Sequence, residues 1–278
     1  MTTIAYRCPL CQQPLIEHTQ QYQCEQNHSF DIAKQGYVNL HLVQHKKSRA
    51  PGDNKAMVQS RREFLNRGYF ELLPLALIKQ WQQLSLLNHN GQQSILDVGC
   101  GEGYYNRRLK QGLPQSHGQL WGIDISKTAI ASAAKQDPAL HYAVANNYQL
   151  PFFDDSFDVV LNIYAPASEQ ECHRVLKASG VFIVVTPGPE HLYELKKIIY
   201  DQPQKHESHI PALDGFHAIV NERVTHSIHI SSNQDIQHLL KMTPYYWHLN
   251  PDRQKAVLSL TNLSTTADFS ITIYQTAS

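Results

Sequence analysis

The stretch that decides the fold is Ile95-Leu96-Asp97-Val98-Gly99-Cys100-Gly101-Glu102-Gly103-Tyr104. An apolar run of strand length enters a turn with glycine at every second position, and a helical pattern begins at Tyr104. Glycines here let the backbone take positive φ and approach a bound molecule closely. The G-x-G-x-G spacing differs from the G-x-G-x-x-G of nicotinamide enzymes. Asp97 can orient the turn or meet an ammonium group. A second apolar run, Trp121-Gly122-Ile123-Asp124, ends in a carboxylate 21 residues beyond Gly103. A carboxylate at a strand's end suits a bidentate grip on ribose hydroxyls, with the ligand at the C-terminal edge of the strands.

Around this centre, strand-like runs at 94–98, 120–124, 140–144, 157–162 and 181–186 alternate with helical runs at 104–111, 127–135 and roughly 169–177. That alternation predicts an α/β fold with a parallel, doubly wound sheet. The tail differs: 224–230 and 269–275 read as strands, with helices at 234–241 and 252–258 between them. Upstream, Asp53 can cap a helix running from about 54 to 66. A second helix fits 72–87, with Leu73, Leu77, Trp81 and Leu84 at helical spacing. Residues 34–55 look irregular, punctuated by Gly36, Pro51 and Gly52.

The first module carries its own chemistry. Cys8-x2-Cys11-x12-Cys24-x3-His28 offers three thiolates and one imidazole, a set that suits one tetrahedral, structural Zn2+. Each pair closes a knuckle and the metal joins the two. So short a unit has too little apolar mass to fold alone, so metal binding would supply its folding free energy. Four protein ligands leave no open coordination position, which argues against a catalytic metal.

The 278 residues imply one domain of about 190 residues with one or two small modules. The expected division is a zinc-binding domain at 1–33, a basic linker and helices at 34–87 that would face RNA, and the larger domain with the glycine turn at 88–278. No run of about 18 apolar residues occurs, so no membrane span is expected. The N-terminus lacks the apolar stretch of a secretory signal, and a cytoplasmic location is expected. Net charge is zero, which hides an asymmetry: residues 34–67 hold eight basic side chains, Lys46, Lys47, Arg49, Arg61 and Arg62 among them, against Asp53 and Glu63. One segment therefore carries the positive field, and a phosphate backbone is the partner that such a field suits.

The glycine turn, Asp124, Leu150-Pro151-Phe152 and Asp155-Ser156-Phe157-Asp158 together resemble the class I methyltransferases that use S-adenosylmethionine (SAM). The resemblance covers 94–278. It implies a seven-stranded, mostly parallel sheet ending in an antiparallel hairpin, and it puts Asn146 near adenine.

Further stretches narrow the family: Cys8-Pro9-Leu10-Cys11, Asp31-Ile32-Ala33-Lys34-Gln35-Gly36-Tyr37-Val38-Asn39-Leu40, Ser48-Arg49-Ala50-Pro51-Gly52-Asp53, Ile163-Tyr164-Ala165-Pro166 and Thr186-Pro187-Gly188-Pro189-Glu190-His191-Leu192. In this order they resemble the RlmA-type 23S rRNA (guanine-N1)-methyltransferases, over nearly the whole chain. The resemblance implies methyl transfer to guanine N1 in a hairpin of domain II of 23S rRNA. It also implies a homodimer, and SAM contacts from Gly101-Glu102, from His191 and from an aromatic residue, here Phe70, with Tyr69 as its substitute. The expected cofactor site is then Phe70, Asp97, Gly99, Gly101, Glu102, Asp124, Asn146 and His191. Tyr164 could stack on the base. As the group that takes the N1 proton, Glu169 and Tyr164 are the candidates near that edge. Two other readings remain open at this point: a methyltransferase of small molecules with an appended zinc module, and an inactive, zinc-bearing RNA-binding protein.

Overall fold

A computed structural model describes residues 4–42, 51–84, 93–113, 119–207, 210–243, 245–246 and 249–277. The chain opens with β1 (Ile16–Glu17), β2 (Gln21–Gln23) and β3 (Ser29–Asp31), a small antiparallel sheet in that order. Next come β4 (Tyr37–Asn39), α1 (Lys55–Asn66) and α2 (Leu72–Gln83). The alternating part is β5 (Ile95–Val98), α3 (Tyr104–Gly112), β6 (Leu120–Asp124), α4 (Lys127–Gln136), β7 (His141–Val144), β8 (Phe157–Ile163), α5 (Glu169–Val175), β9 (Leu176–Pro187) and α6 (Tyr193–Ile199). The tail is β10 (Phe216–Ile230), α7 (Asn233–Met242), α8 (Pro251–Leu258) and β11 (Leu263–Thr276).

The large sheet has the order β10-β11-β9-β8-β5-β6-β7-β4. Pairs from β9 to β4 are parallel, and β11 runs antiparallel to both β9 and β10. The sheet has eight strands, one more than expected. The extra one is Tyr37-Val38-Asn39, in a segment expected to be irregular, which pairs in parallel with Tyr142-Ala143-Val144. Three residues are too few to show a strand period, and parallel pairing needs a partner far away in sequence. The segment expected as a linker with two helices thus also supplies a strand of the main sheet.

A parallel sheet must be covered on both faces. One face is covered by α1, α2, α3, α4, α6, α7 and α8, which share a core with Ile95, Leu161, Ile183 and Ile271. Leu73, Leu77 and Trp81 of α2 are fully buried there, roughly 1.5–3 kcal/mol for each aliphatic chain. On the other face α5 contributes Cys172 and Val175, and the cysteine module covers the rest: Tyr6, Cys8, Leu15 and Cys24 lie in one cluster with Leu96, Val98, Trp121 and Phe152. Tyr6 meets Trp121 edge-on at 4.9 Å and Phe152 at 5.3 Å. The small module therefore stands where a doubly wound fold otherwise needs helices.

Two local expectations are corrected. The cap of α1 is Asn54, whose Oδ1 accepts from the N–H groups of Ala56 and Met57; Asp53 instead pairs with Arg61. Helix α6 was absent from the sequence pattern because its N-cap, Leu192, is left-handed and gives no side-chain cap.

Candidate active site

Strand β5 ends at the glycine turn, and the turn is fastened to β6. The N–H groups of Gly99 and Cys100 both donate to the Ile123 carbonyl at 2.9 Å. Gly101 N–H donates to Asp124 Oδ2 at 3.0 Å, and Ser126 N–H to Oδ1 at 2.7 Å. Gly99 sits at φ +82, and a Cβ there would lie 2.2 Å from the Ala165 Cβ. Only glycine serves at that point.

Above the turn lies a cavity of about 530 Å³. Its walls include Phe70, Asp97, Gly99, Gly101, Glu102, Asp124, Asn147, Tyr164 and His191. Asp97 is 1 % exposed, and its Oδ1 has no hydrogen-bond partner among the described residues. Burial, with Asp124 beside it, pushes its carboxyl up to about 8. Asp124 is also raised by burial, against the pull of its two backbone donors. Asn147 Oδ1 is a second buried acceptor with no partner among the described residues, while its Nδ2 donates to the Pro166 carbonyl at 3.1 Å. Partnerless buried acceptors are costly unless a ligand satisfies them. The ammonium, ribose hydroxyls and adenine amino group of SAM are all donors, so this cavity fits it.

The asparagine reading shifts by one residue. Asn146 does not line the cavity; its Oδ1 accepts from Tyr148 N–H in a local turn. Glu102 lines it, but its carboxylate accepts from Arg107 Nη2 at 3.1 Å and from Gln136 Nε2 at 2.7 Å. Phe70 is buried against Phe269 at 5.1 Å and His191 at 5.6 Å. Tyr69 turns away, its hydroxyl donating to Asp235. His191 Nδ1 accepts from the Asp268 N–H at 3.2 Å, which leaves Nε2 protonated. Burial lowers this imidazole to about 4, so it is neutral at pH 7.

The two proton acceptors expected from the sequence are placed differently. Glu169 is an exposed first-turn residue of α5, away from the cavity. Tyr164 does line the cavity, at φ +57. Desolvation, with Tyr105, Asp268 and Tyr245 nearby, holds its phenol well above the usual range.

In the small module the ligand atoms of Cys8, Cys11, Cys24 and His28 all lie within 4.8 Å of one another. Cys11 and Cys24 Sγ are 3.6 Å apart, and His28 Nδ1 lies 3.4, 3.5 and 3.6 Å from the sulfurs of Cys11, Cys24 and Cys8. A tetrahedron with Zn–S legs of about 2.3 Å has edges of about 3.8 Å, slightly shorter with an imidazole. The four residues fit one zinc ion.

Residues 6–49 match the family described as "RlmA, N-terminal", and residues 96–184 match "Methyltransferase domain". The Bacillus subtilis protein named "Putative 23S rRNA (guanine-N(1)-)-methyltransferase YxjB" is 32 % identical over 280 residues, 96 % of each chain. The chain belongs to the RlmA-type methyltransferase family. It is also 29 % identical to the 23S rRNA (guanine(748)-N(1))-methyltransferase of Streptomyces fradiae, over 88 % of this chain and 87 % of that one. The fold is that of the class I SAM-dependent methyltransferases, and the cysteine module is a zinc ribbon.

The basic side chains of this RlmA-type methyltransferase divide. Lys46, Lys47 and Arg49 lie outside the described residues. Arg62 is a half-exposed cation beside Glu63. Arg61 is corrected: it lines the cavity, pairs with Asp53 and donates to the Met242 carbonyl at 3.3 Å. An arginine on an amphipathic helix reads as surface charge until the tertiary partner is known. Among the described residues no helix is long and apolar enough to cross a membrane.

Proposed function

We propose that this methyltransferase transfers the methyl group of SAM to N1 of a guanine in a hairpin of domain II of 23S rRNA, in the cytoplasm. The observation that carries this reading is the zinc ribbon packed on the sheet of a methyltransferase that matches 23S rRNA (guanine-N1)-methyltransferases over nearly its whole length. SAM supplies a methyl carbon already activated by its sulfonium, so the protein's task is alignment. We assign Asp124 to the ribose hydroxyls, Asp97 to the ammonium and Asn147 to the adenine side, with Phe70 and His191 as the opposite wall. The bodies of Gly99 and Gly101 allow the close approach. Tyr164, on the cavity rim, offers a ring on which an unstacked base can lie. Lys46, Lys47, Arg49 and Arg62 are assigned to phosphates; Arg61, held by Asp53, is withdrawn from that set. A dimer, which the resemblance implies, belongs to the same reading and is open to light scattering.

The test is mass spectrometry of 23S rRNA from a strain lacking the gene. One N1-methylguanosine should disappear and return on complementation. Persistence of every N1-methylguanosine defeats the reading.

A further inference from the structure

The cavity wall that carries His191 also carries His206 and Tyr245, and behind His206 stands a buried cation. Lys196 of α6 is only 6 % exposed. Its Nζ lies 2.9 Å from His206 Nε2 and 3.1 Å from the Gln204 carbonyl, and 5.9 Å from the centre of the Tyr245 ring. A carbonyl oxygen and a ring face are both partners for an ammonium, so Lys196 donates and His206 Nε2 accepts. The proton of neutral His206 then sits on Nδ1. His191 is fixed in the complementary way, Nδ1 accepting from Asp268 N–H. The two rings are 6.5 Å apart between centres. Each has one nitrogen tied to the protein as an acceptor and one N–H with no partner among the described residues. Neither imidazole has a free lone pair with which to act as a base.

Guanine N1 carries a proton at neutral pH and must lose it for N1 to attack. The proton goes to water, and the pair it leaves is shared between N1 and O6. The N1–CH3 bond forms from that pair, the S–CH3 bond breaks with its pair returning to sulfur, and neutral N1-methylguanine results. Negative charge therefore gathers on O6 in the transition state. A preset donor aimed at it lowers the barrier as an oxyanion hole does. We infer that His206, its tautomer set by Lys196, donates Nδ1–H to O6 of the acceptor guanine; this rests on the function proposed above. His206 is then a catalytic residue and Lys196 a positioning residue. The groups that face His206 are Lys196 on α6, Asp268 on β11, His191 in the loop before α6, and Tyr245 after α7. Burial and the Lys196 charge lower its pKa, which keeps the ring neutral.

The experiment compares parent, His206→Leu, His206→Asn and Lys196→Met on a 23S rRNA hairpin transcript at saturating SAM, from pH 6 to 9. Thermal melting checks that each variant folds. His206→Leu should lose about 10²–10³-fold in kcat and keep SAM affinity within about threefold by calorimetry. Its rate should climb about tenfold per pH unit where the parent has levelled off, since unassisted N1 ionisation becomes the requirement. His206→Asn, which keeps an N–H donor, should recover part of the loss. Nitrogen-15 NMR of the ring, with no RNA or SAM present, should find the proton on Nδ1 in the parent and a mixture in Lys196→Met. A His206→Leu enzyme within threefold of parental kcat, a variant that loses SAM affinity alone, or a parental Nδ1 without its proton overturns the inference. A parent that methylates no guanine overturns the proposed function as well, and so tells the two failures apart.

Discussion

Asp97 holds a proton that SAM should displace. With its carboxyl raised to about 8 by burial and by Asp124, it is protonated at pH 7 in the ligand-free protein. An ammonium brought beside it favours the carboxylate. SAM binding at pH 7 is therefore expected to release up to about one proton, read as a dependence of the binding enthalpy on the buffer's heat of ionisation. Asp97→Asn should abolish that dependence. The same shift has a folding consequence. The folded value lies above the ordinary 3.8, so between about 4 and 8 the native protein holds a proton that the unfolded chain has lost. Its contribution is full below the lower value and fades as pH rises through the upper one; Asp97→Asn should flatten that slope in urea titrations. At Gly99, alanine must take a positive φ and meet the Ala165 Cβ at 2.2 Å. Gly99→Ala is expected to cost about 1–3 kcal/mol of stability and to weaken SAM binding at least about tenfold, measured by melting and calorimetry. The glycine turn, Asp97 and Asp124 were legible as candidates because residue type and spacing single them out, and the structure brings them to one cavity. Asn147 was not, because one step of backbone decides which of two adjacent asparagines faces the cavity.

At the scale of elements, the zinc knuckles stood out in the sequence and their docking did not. Spacing names ligands, whereas Tyr6 and Leu15 pack on strands β5 and β6, which begin some 80 residues or more further along the chain. Strand β4 was invisible for the same reason: its partner β7 lies about 100 residues away. Strand β10 runs from Phe216, well before the expected start at 224, because its first half alternates with little burial to show for it. The docking yields a prediction. Removing zinc should loosen the sheet core as well as the ribbon, since Cys8 and Cys24 are buried within it. Cys24→Ser is expected to lower the melting temperature by roughly 10 °C, equivalent to a few kcal/mol for a chain of this size, and chelation should release one zinc per chain. A zinc-free protein that melts with the parent would separate ribbon from core.

Across the whole molecule the charge is lopsided, and the salt dependence of RNA binding should show it. Lys46→Glu with Lys47→Glu is expected to weaken hairpin binding and reduce the slope of log K against log salt by roughly 1–2, while SAM affinity holds. Arg61→Ala should behave otherwise, disturbing SAM affinity first, because its guanidinium lines the cavity proposed for SAM, beside Asp53. Filter binding at several salt concentrations, with calorimetry alongside, distinguishes the two. The alternation of strands and helices announced the parallel sheet, and the family resemblance implied the antiparallel tail. What covers the second face of that sheet needed three dimensions.

That covering has a further consequence. A ribbon that is one wall of the enzyme's own interior cannot swing on a tether, so on the function proposed above any stretch of RNA lying against it and the point of methyl delivery would be held at a constant span, like the jaws of a fixed gauge. Choice of nucleotide should then follow distance along the folded RNA more than neighbouring sequence: lengthening the hairpin stem by a base pair or two ought to move or abolish the modification, while swapping pairs within it ought to leave the mark where it was.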